Sequence, residues 1–209
     1  MTNHIENLIR RQPALAANIP DVSAAFEMMR QAFLSGRKLL LCGNGGSAAD
    51  AEHWAGELLK GFVDPRPLPP AVRVGLPDDL AGKLQWALPA IPLTGFPSLA
   101  TAFANDVDPD FVFAQLAWGL GNGGDVLVAI STSGNSANVC HAARAARAKD
   151  IRVLAMTGET GGRLRELADV CIAVPATETY LVQEFHLPVY HCLCLMLEEA
   201  LRPASGSLK

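Results

Sequence analysis

The feature that most constrains the fold of this chain is a series of short, continuous apolar runs that alternate with helical patterns. The apolar runs lie at 38–42, 90–93, 125–130, 151–156 and 170–174. The helical patterns lie at 47–60, 97–119, 136–149, 161–168 and 178–201. Runs of this length, without polar and apolar alternation, are typical of strands buried on both faces. Strands that alternate with helices indicate right-handed crossovers, so we predict a three-layer α/β/α sandwich with a five-stranded parallel sheet.

Two further helical patterns, over residues 3–18 and 21–35, precede the first apolar run. Asp21 is the expected N-cap of the second helix and Gly36 its stop signal. At roughly 150 residues per domain, 209 residues suit one domain with additions. The expected parts are a helical extension at 1–35 that packs on the core or in an oligomer, an α/β domain at 36–201, and a C-terminal tail at 202–209.

The segment 61–89 fits this pattern least well. It is rich in proline, and residues 78–84 could form one or two helical turns. A connection of this length inside a compact domain is usually functional or disordered, and both interpretations stay open at this point.

Composition and charge exclude several classes of function. Hydrophobic residues make up 50% of the chain and charged residues 18%, which favours a large core over disorder. The net charge of −4 and the lack of a Lys/Arg cluster argue against nucleic-acid binding. No apolar stretch approaches the ~20 residues of a membrane span, and the N-terminus does not resemble a signal peptide. Five cysteines without a C-x-x-C motif indicate buried free thiols in a reducing compartment, so we expect a cytoplasmic protein.

Two segments follow predicted strands at the sheet edge where open parallel sheets bind ligands. The first, residues 43–47, contains three glycines that let the backbone approach a ligand, and it enters a helix whose free N–H groups attract anions. It matches neither the dinucleotide fingerprint nor the P-loop. A tight strand-to-helix turn explains this segment equally well.

The second segment, residues 131–136, reads Ser-Thr-Ser-Gly-Asn-Ser and again enters a helix. Asn135 or Ser136 could be a helix N-cap, which explains one of the four hydroxyls and leaves three. Hydroxyls and free amides without a Lys or Arg indicate an anion cradle, so we predict phosphate binding here. The glycine-rich stretch 119–124 precedes a strand, and we interpret it as a turn.

Two helical patterns each combine a histidine with an oxygen ligand at whole-turn spacing. His53 and Glu57 are four residues apart on one helix, and Gln183 and His191 are eight apart on another. Together they are a candidate metal site with nitrogen and oxygen ligands. Spacing alone does not show that the helices meet, so ordinary core or surface histidines remain an alternative.

Several motifs, in order, resemble the sugar isomerase (SIS) domain family, and within it the phosphoheptose isomerases. They are Cys-Gly-Asn-Gly-Gly-Ser at 42–47, Asn-Asp at 105–106, Ile-Ser-Thr-Ser-Gly-Asn-Ser at 130–136, Met-Thr-Gly at 156–158 and Gln-Glu-x-His-x4-His at 183–191. The resemblance implies a flavodoxin-like strand order. It also implies an isomerase that interconverts sedoheptulose 7-phosphate and D-glycero-D-manno-heptose 7-phosphate, or a close pair of ketose and aldose phosphates.

The resemblance also assigns the site residues. Those implied to bind the phosphosugar are Asn44, Gly45, Gly46, Ser47, Asn105, Asp106, Ser131, Thr132, Ser133, Ser136 and Gln183. Those implied to hold one Zn²⁺ per subunit are His53, Glu57, Gln183 and His191. The implied assembly is a homotetramer with active sites between subunits, and we expect no nucleic-acid or membrane partner.

The implied chemistry moves a proton between C1 and C2 through an enediol, which requires a base, an acid and support for the enediolate charge. The implied roles are Glu57 as base, His191 as acid/base partner and zinc as the group that polarises the carbonyl oxygens. Asp50 matches a supporting acidic position, although a solvent-facing charge explains it as well. A carboxylate bound tightly to zinc is a poorer base, so Glu57 would bind weakly or alternate between two tasks.

Two other interpretations stay open. One is a non-catalytic SIS protein that binds a phosphosugar or a protein partner such as the replication initiator, although that branch lacks the full His/Glu/Gln/His set. The other is a phosphosugar sensor or an isomerase of arabinose or hexulose phosphates, which usually lack the zinc pattern. Departures at Gly61, Gly95 and Tyr180, around the sugar end of the implied site, bear on which sugar is used.

Overall fold

A computed structural model describes residues 2–202 of the chain, and a five-stranded, all-parallel sheet forms its centre. The strands are β1 (Leu39–Cys42), β2 (Ala90–Pro92), β3 (Val126–Ile130), β4 (Arg152–Thr157) and β5 (Val170–Ala173). Their order is β2-β1-β3-β4-β5, the flavodoxin-like order that the resemblance implied. The predicted fold class is therefore confirmed.

Helices cover both faces of the sheet, as parallel strands buried on both sides require. They are α1 (Thr2–Arg11), α2 (Ile19–Leu34), α3 (Gly46–Leu59), α4 (Pro70–Arg73), α5 (Asp78–Ala81), α6 (Pro97–Asp106), α7 (Val112–Leu120), α8 (Ala137–Arg147), α9 (Gly162–Leu167) and α10 (Thr179–Ala200). Short 3₁₀ turns lie at Pro13–Asn18, Leu93–Gly95 and Pro109–Phe111.

The sheet separates two apolar cores, because successive strand residues point to opposite faces. Leu39 and Leu41 of β1 pack into a core with α1, α2, α3 and α10. Leu40 and Cys42 of the same strand pack into a second core with α7, α8 and α9. All five cysteines are free. Within residues 2–202, no helix combines the length and hydropathy needed to cross a membrane.

The N-terminal helices differ from the predicted boundaries. The pattern over 3–18 is an α-helix followed by a 3₁₀ turn that begins at Pro13. The next helix already begins at Ile19, so Asp21 lies in its first turn and is not its N-cap. Gly36 has φ +67° and follows the end of α2, as a helix stop signal should.

The pattern over 97–119 is likewise divided, into α6 and α7. The break is a 3₁₀ turn at Pro109, where the Asp108 carboxylate accepts a hydrogen bond from the Asp110 N–H at 2.8 Å. A proline and a capping carboxylate start a new helical segment even though the apolar periodicity continues.

The segment 61–89 folds back on itself and contains the one-turn helices α4 and α5. An antiparallel bridge pairs Pro67 with Gln85, and the Trp86 N–H donates to the Arg66 carbonyl at 2.7 Å. These contacts return the chain to the edge of β1, where β2 begins. The predicted tail lies outside the described residues except for Arg202.

Candidate active site

Two loops meet where adjacent strands end. Cys42 at the end of β1 lies opposite Ala129 of β3, so the segments 43–47 and 131–136 leave the sheet side by side. Asn44 in the first loop and Asn138 in the first turn of α8 exchange two amide hydrogen bonds, each 2.9 Å long. Because β2 and β3 flank β1, this is the switch point of the sheet, where open α/β folds bind ligands. We call these two segments the loop half of the site.

The second loop has a fixed internal structure. The hydroxyls of Ser131 and Ser136 are 2.9 Å apart, and the Asn135 N–H donates to the Ser133 hydroxyl oxygen at 3.1 Å. Ser136 directly precedes α8, but its side chain makes no capping hydrogen bond. Gly134 has φ +67°, and a Cβ there would collide with the Gly161 carbonyl. The capping alternative therefore does not account for these hydroxyls.

The loop half is anchored to the end of the neighbouring strand β4, which is itself held to α10. The Gly158 N–H donates to the Thr132 carbonyl at 2.9 Å, and the Ser131 N–H donates to the Met156 carbonyl at 3.0 Å. His186 of α10 is fully buried, and its Nε2 lies 3.3 Å from the Thr157 carbonyl. Burial lowers the pKa of His186 to about 4, so this histidine is a neutral N–H donor.

The second half of the site lies between α3 and α10. His53 Nε2 is 3.2 Å from Glu57 Oε1, and the rings of His53 and His191 are 5.2 Å apart. Gln183, the fourth predicted metal ligand, instead packs its amide against Gly46 at the start of α3. At 1.5 Å of rise per residue, Gly46 is about 10 Å from His53 along the helix. The structure therefore brings together three of the four predicted ligands, His53, Glu57 and His191. We call these three side chains, together with Asp50, Lys60 and Tyr190, the helix half of the site.

Two residues that the sequence did not single out complete the helix half. The Tyr190 hydroxyl is 3.3 Å from Asp50 Oδ1 and 3.0 Å from His53 Nδ1, and Lys60 Nζ is 2.7 Å from Glu57 Oε2. A hydrogen-bonded and ion-paired row thus runs from Asp50 to Lys60 along α3. Tyr190 precedes the predicted ligand His191 in the sequence, and that adjacency was the only signal that pointed to it.

The environment shifts the pKa of several of these groups. Burial raises the pKa of Asp50, although the hydrogen bond from Tyr190 opposes the shift. Burial also acts to raise the pKa of Glu57, but the Lys60 ammonium and His53 outweigh it, so the pKa falls below its usual range. Burial, followed by the neighbouring His53, lowers the pKa of His191. At neutral pH the helix half therefore combines an ionised Glu57 with a neutral His191.

The helix half offers donor atoms of the kinds that bind a divalent cation. His191 Nε2 is buried without a hydrogen-bond partner. His53 Nε2–H can donate to Glu57 when no cation is bound. When Tyr190 donates to Asp50 and His53 Nδ1–H donates to Tyr190, His53 Nε2 would instead present its lone pair to a cation beside Glu57 Oε1. Two donors on one tetrahedral Zn²⁺ lie about 3.3 Å apart, close to the His53–Glu57 separation. Within residues 2–202, no three His, Cys, Asp or Glu side chains already lie close enough together to hold a metal ion.

Of the remaining predicted residues, some lie in the loop half and others lie away from both halves of the site. Gly45 and Ser47 lie in the first loop, where the Ser47 N–H donates to the Asn44 carbonyl. Asn105 and Asp106 lie at the exposed end of α6, where the Asn105 amide donates to Asp106 at 2.8 Å. No hydrogen bond among the described residues joins this pair to either half of the site.

A family model described as the SIS domain matches residues 79–158. Phosphoheptose isomerase from Thiobacillus denitrificans is 44% identical over 184 residues, which are 87% of this chain and 84% of that protein. Phosphoheptose isomerase from Shewanella denitrificans is 41% identical over 205 residues, or 97% of this chain and 93% of that protein.

Solved structures show the same similarity in three dimensions. A phosphoheptose isomerase from Neisseria gonorrhoeae superposes with a TM-score of 0.75 at 37% identity, over 95% of this chain and 96% of the other. A phosphoheptose isomerase from Francisella tularensis superposes with a TM-score of 0.77 at 30% identity, over the same shares of the two chains.

Proposed function

We propose, because the chain belongs to the phosphoheptose isomerases of the SIS domain family, that it interconverts sedoheptulose 7-phosphate and D-glycero-D-manno-heptose 7-phosphate. The observation that carries the proposal is that two different chemistries lie on one helix, α3, and on the loop from which it starts. A neutral cradle of hydroxyls and N–H groups lies at the carboxyl ends of β1 and β3. Ionisable side chains of the helix half follow on the helix that leaves the first loop.

The phosphate would occupy the loop half. N–H groups at the starts of α3 and α8 point toward the loops, and both helix dipoles favour an anion there. Ser133 is exposed, and its hydroxyl oxygen accepts from Asn135, which leaves its proton free to donate to a ligand. The rigid Asn44–Asn138 pair would hold the two loops at a fixed separation around the phosphate.

Proton transfer would be the task of the helix half. Glu57 is ionised and partly exposed, so it can accept a proton from the carbon next to the carbonyl. His191 would exchange the proton on the oxygens. Asp50 would act through Tyr190, because the Tyr190 hydroxyl links it to His53.

A Zn²⁺ ion, one per subunit, would be held by His53, Glu57 and His191, with Gln183 as a fourth predicted ligand. When bound, such an ion supplies Lewis-acid polarisation of the carbonyl and stabilises the enediolate charge. The unpartnered His191 Nε2 supports this assignment.

We further propose a homotetramer in which Asn105 and Asp106 serve the active site of a neighbouring subunit. Their exposure at the end of α6 supports this idea, as does the exposure of Val63 and Val74 in the segment 61–89. Multi-angle light scattering of the purified protein tests it, and a monomer at micromolar concentration would contradict it.

The test of the function is NMR of the purified protein with sedoheptulose 7-phosphate in D₂O, with and without a chelator. New aldose signals that carry deuterium at C2, and that disappear after chelation, are the expected result. Conversion that persists after chelation would contradict the role of zinc and still support the isomerase function. The absence of conversion would exclude sedoheptulose 7-phosphate as the substrate. The same assay with other ketose phosphates would then distinguish an isomerase of another sugar from a protein that only binds phosphosugars.

A further inference from the structure

The segment that follows α3 is fastened to α10 by one buried carboxylate. Glu198 is only 6% exposed, and its two oxygens accept hydrogen bonds from three successive N–H groups. These are the N–H groups of Phe62 at 2.7 Å, Val63 at 3.0 Å and Asp64 at 3.1 Å. One side chain of α10 therefore fixes the path of the chain where it leaves α3.

A buried guanidinium caps the same end of α3. Arg66 is 3% exposed, and its Nη2 donates to the Leu58 carbonyl at 2.8 Å and to the Lys60 carbonyl. Its Nε lies 3.4 Å from Glu198 Oε1, an ion-pair contact whose alignment is too poor for a hydrogen bond. Helix C-termini leave carbonyls unpaired, and a cation favours that end of the helix dipole.

The turn between these two residues is tight. A Cβ at Gly61 would lie 2.5 Å from the Asp64 carbonyl oxygen, so only glycine fits without movement of the backbone. The Gly61 N–H donates to the Gln85 side chain at 2.7 Å, which ties the turn to the returning arm of the segment 61–89. The glycine that departs from the family pattern is thus explained by this turn.

Glu57 and Lys60, whose carboxylate and ammonium are 2.7 Å apart, flank the capped end of α3. Helix ends fray unless they are held, and a side chain in the last turn moves with the backbone. We infer that Arg66 and Glu198 are a positioning pair, which fixes the last turn of α3 and thereby aims Glu57 and Lys60 at the substrate. The inference rests on the proposed isomerase function.

A buried ion pair is not needed for stability alone, because apolar side chains of similar size often replace one without loss. The pair instead gives the end of α3 a defined position, which an apolar contact without directed hydrogen bonds would not. A displacement of about 1 Å at a reacting group can cost about 100-fold in rate, so a less rigid end of α3 should lower kcat measurably.

The test compares Glu198→Gln with Asp125→Asn. Asp125 is also a buried carboxylate that accepts from backbone N–H groups and from one cation, Lys38, but its hydrogen-bond partners, Lys38 and Asn122, lie outside α3 and α10. We expect Glu198→Gln to lower kcat about 10- to 100-fold with little change in KM, since the loop half is untouched. Asp125→Asn should lower the melting temperature comparably and keep the wild-type kcat.

A second variant keeps the inference testable if Glu198→Gln folds poorly. Arg66→Met combined with Glu198→Gln removes both charges, so the fold should recover while kcat stays low. A wild-type kcat in this double variant, or equal losses of kcat in Glu198→Gln and Asp125→Asn, would overturn the inference.

The proposed function is tested separately, by the activity of the wild-type protein alone. If the wild type converts no ketose phosphate, Zn²⁺ affinity measured by competition with a chromophoric chelator replaces kcat as the readout. Glu198→Gln should then weaken Zn²⁺ binding about tenfold or more, because Glu57 is displaced, and Asp125→Asn should not. Equal Zn²⁺ affinity in the wild type and both variants would overturn the inference.

Discussion

The loop half and the helix half of the site satisfy their polar groups in opposite ways. The loop half carries no charged side chain, and hydrogen bonds such as Ser131 to Ser136 and Asn44 to Asn138 fix it internally. The helix half is rich in charge, and it contains two buried polar atoms without hydrogen-bond partners: Asp50 Oδ2 and His191 Nε2. Such atoms are rare in folded proteins and call for an explanation.

The difference corresponds to two tasks. A binding cradle works best when its groups are already in place, because little is then lost to ordering when the ligand binds. A reacting centre must change protonation or coordination, so some of its donors and acceptors have to be available. We therefore expect changes in the loop half to act on KM and changes in the helix half to act on kcat.

The strongest test of this division is Glu57→Gln. The loss of a general base costs about 10²–10⁴-fold in kcat, and sedoheptulose 7-phosphate should still bind because the loops are intact. Steady-state kinetics and calorimetric binding measure the two effects. Glu52→Gln, an exposed neighbour on α3, is the matched control and should behave as wild type. Wild-type turnover of Glu57→Gln would show that the base is another residue.

The complementary test is Ser133→Ala combined with Ser136→Ala. Each lost hydrogen bond to a charged group costs about 1.5–3 kcal/mol, so KM should rise about 100-fold or more while kcat changes little. Ser98→Ala, on the exposed side of α6, is the control for a serine outside the site. An unchanged KM would place the phosphate elsewhere.

A third prediction concerns His186, which links α10 to the end of β4 beside the loop half. Its pKa is about 4 in the fold and about 6.5 in the unfolded chain, so only the unfolded chain takes up its proton as the pH falls below 6.5. The contribution of His186 to stability is intact above pH 6.5, and about 3 kcal/mol of it is lost by pH 4. Urea unfolding at pH 7, 5.5 and 4.5 measures the loss.

The control for this pH dependence is a pair of variants. His186→Gln removes the buried imidazole, so the dependence between pH 6.5 and 4 should become shallower. His141→Gln, which changes a partly exposed histidine on α8, should leave it as in wild type. Identical slopes in His186→Gln and wild type would mean that other groups cause the acid sensitivity.

The sequence predicted the sheet well because its signal is local. Strands buried on both faces give uninterrupted apolar runs, and all five predicted runs contain a strand. The errors lie where a single side chain ends an element without interrupting the apolar period, as Asp108 and Pro109 do between α6 and α7. Pro109 was a visible signal, whereas the capping role of Asp108 depends on the local fold.

The site was predicted unevenly for a related reason. Residues in short motifs, such as Ser131–Ser136, could be found because neighbours in sequence remain neighbours in the fold. Tyr190, Arg66 and Glu198 could not, because their roles depend on α3 and α10 running side by side in the same direction. That pairing places Tyr190 beside His53 and Glu198 beside Phe62, and no local pattern encodes it.

The smallest change that tests the division between the loop half and the helix half is Tyr190→Phe, which removes one oxygen atom from the helix half. The Tyr190 ring stacks on Trp54 with centroids 5.3 Å apart, and phenylalanine keeps that stack, so the melting temperature should change little. The lost hydroxyl releases Asp50 and leaves His53 Nδ1 without its partner, so the tautomer that presents Nε2 to Glu57 is no longer favoured. Partners of this kind are worth about 10- to 100-fold in metal affinity or activity.

The expected result of Tyr190→Phe is therefore a lower kcat and weaker Zn²⁺ binding at an unchanged KM for the sugar phosphate. Chelator competition and steady-state kinetics on the same preparation measure all three quantities. If KM rises instead and kcat is retained, Tyr190 supports the loop half through α10, and the separation of the site into a binding half and a reacting half is wrong. If kcat falls and Zn²⁺ affinity does not, His53 acts on the substrate without holding the metal.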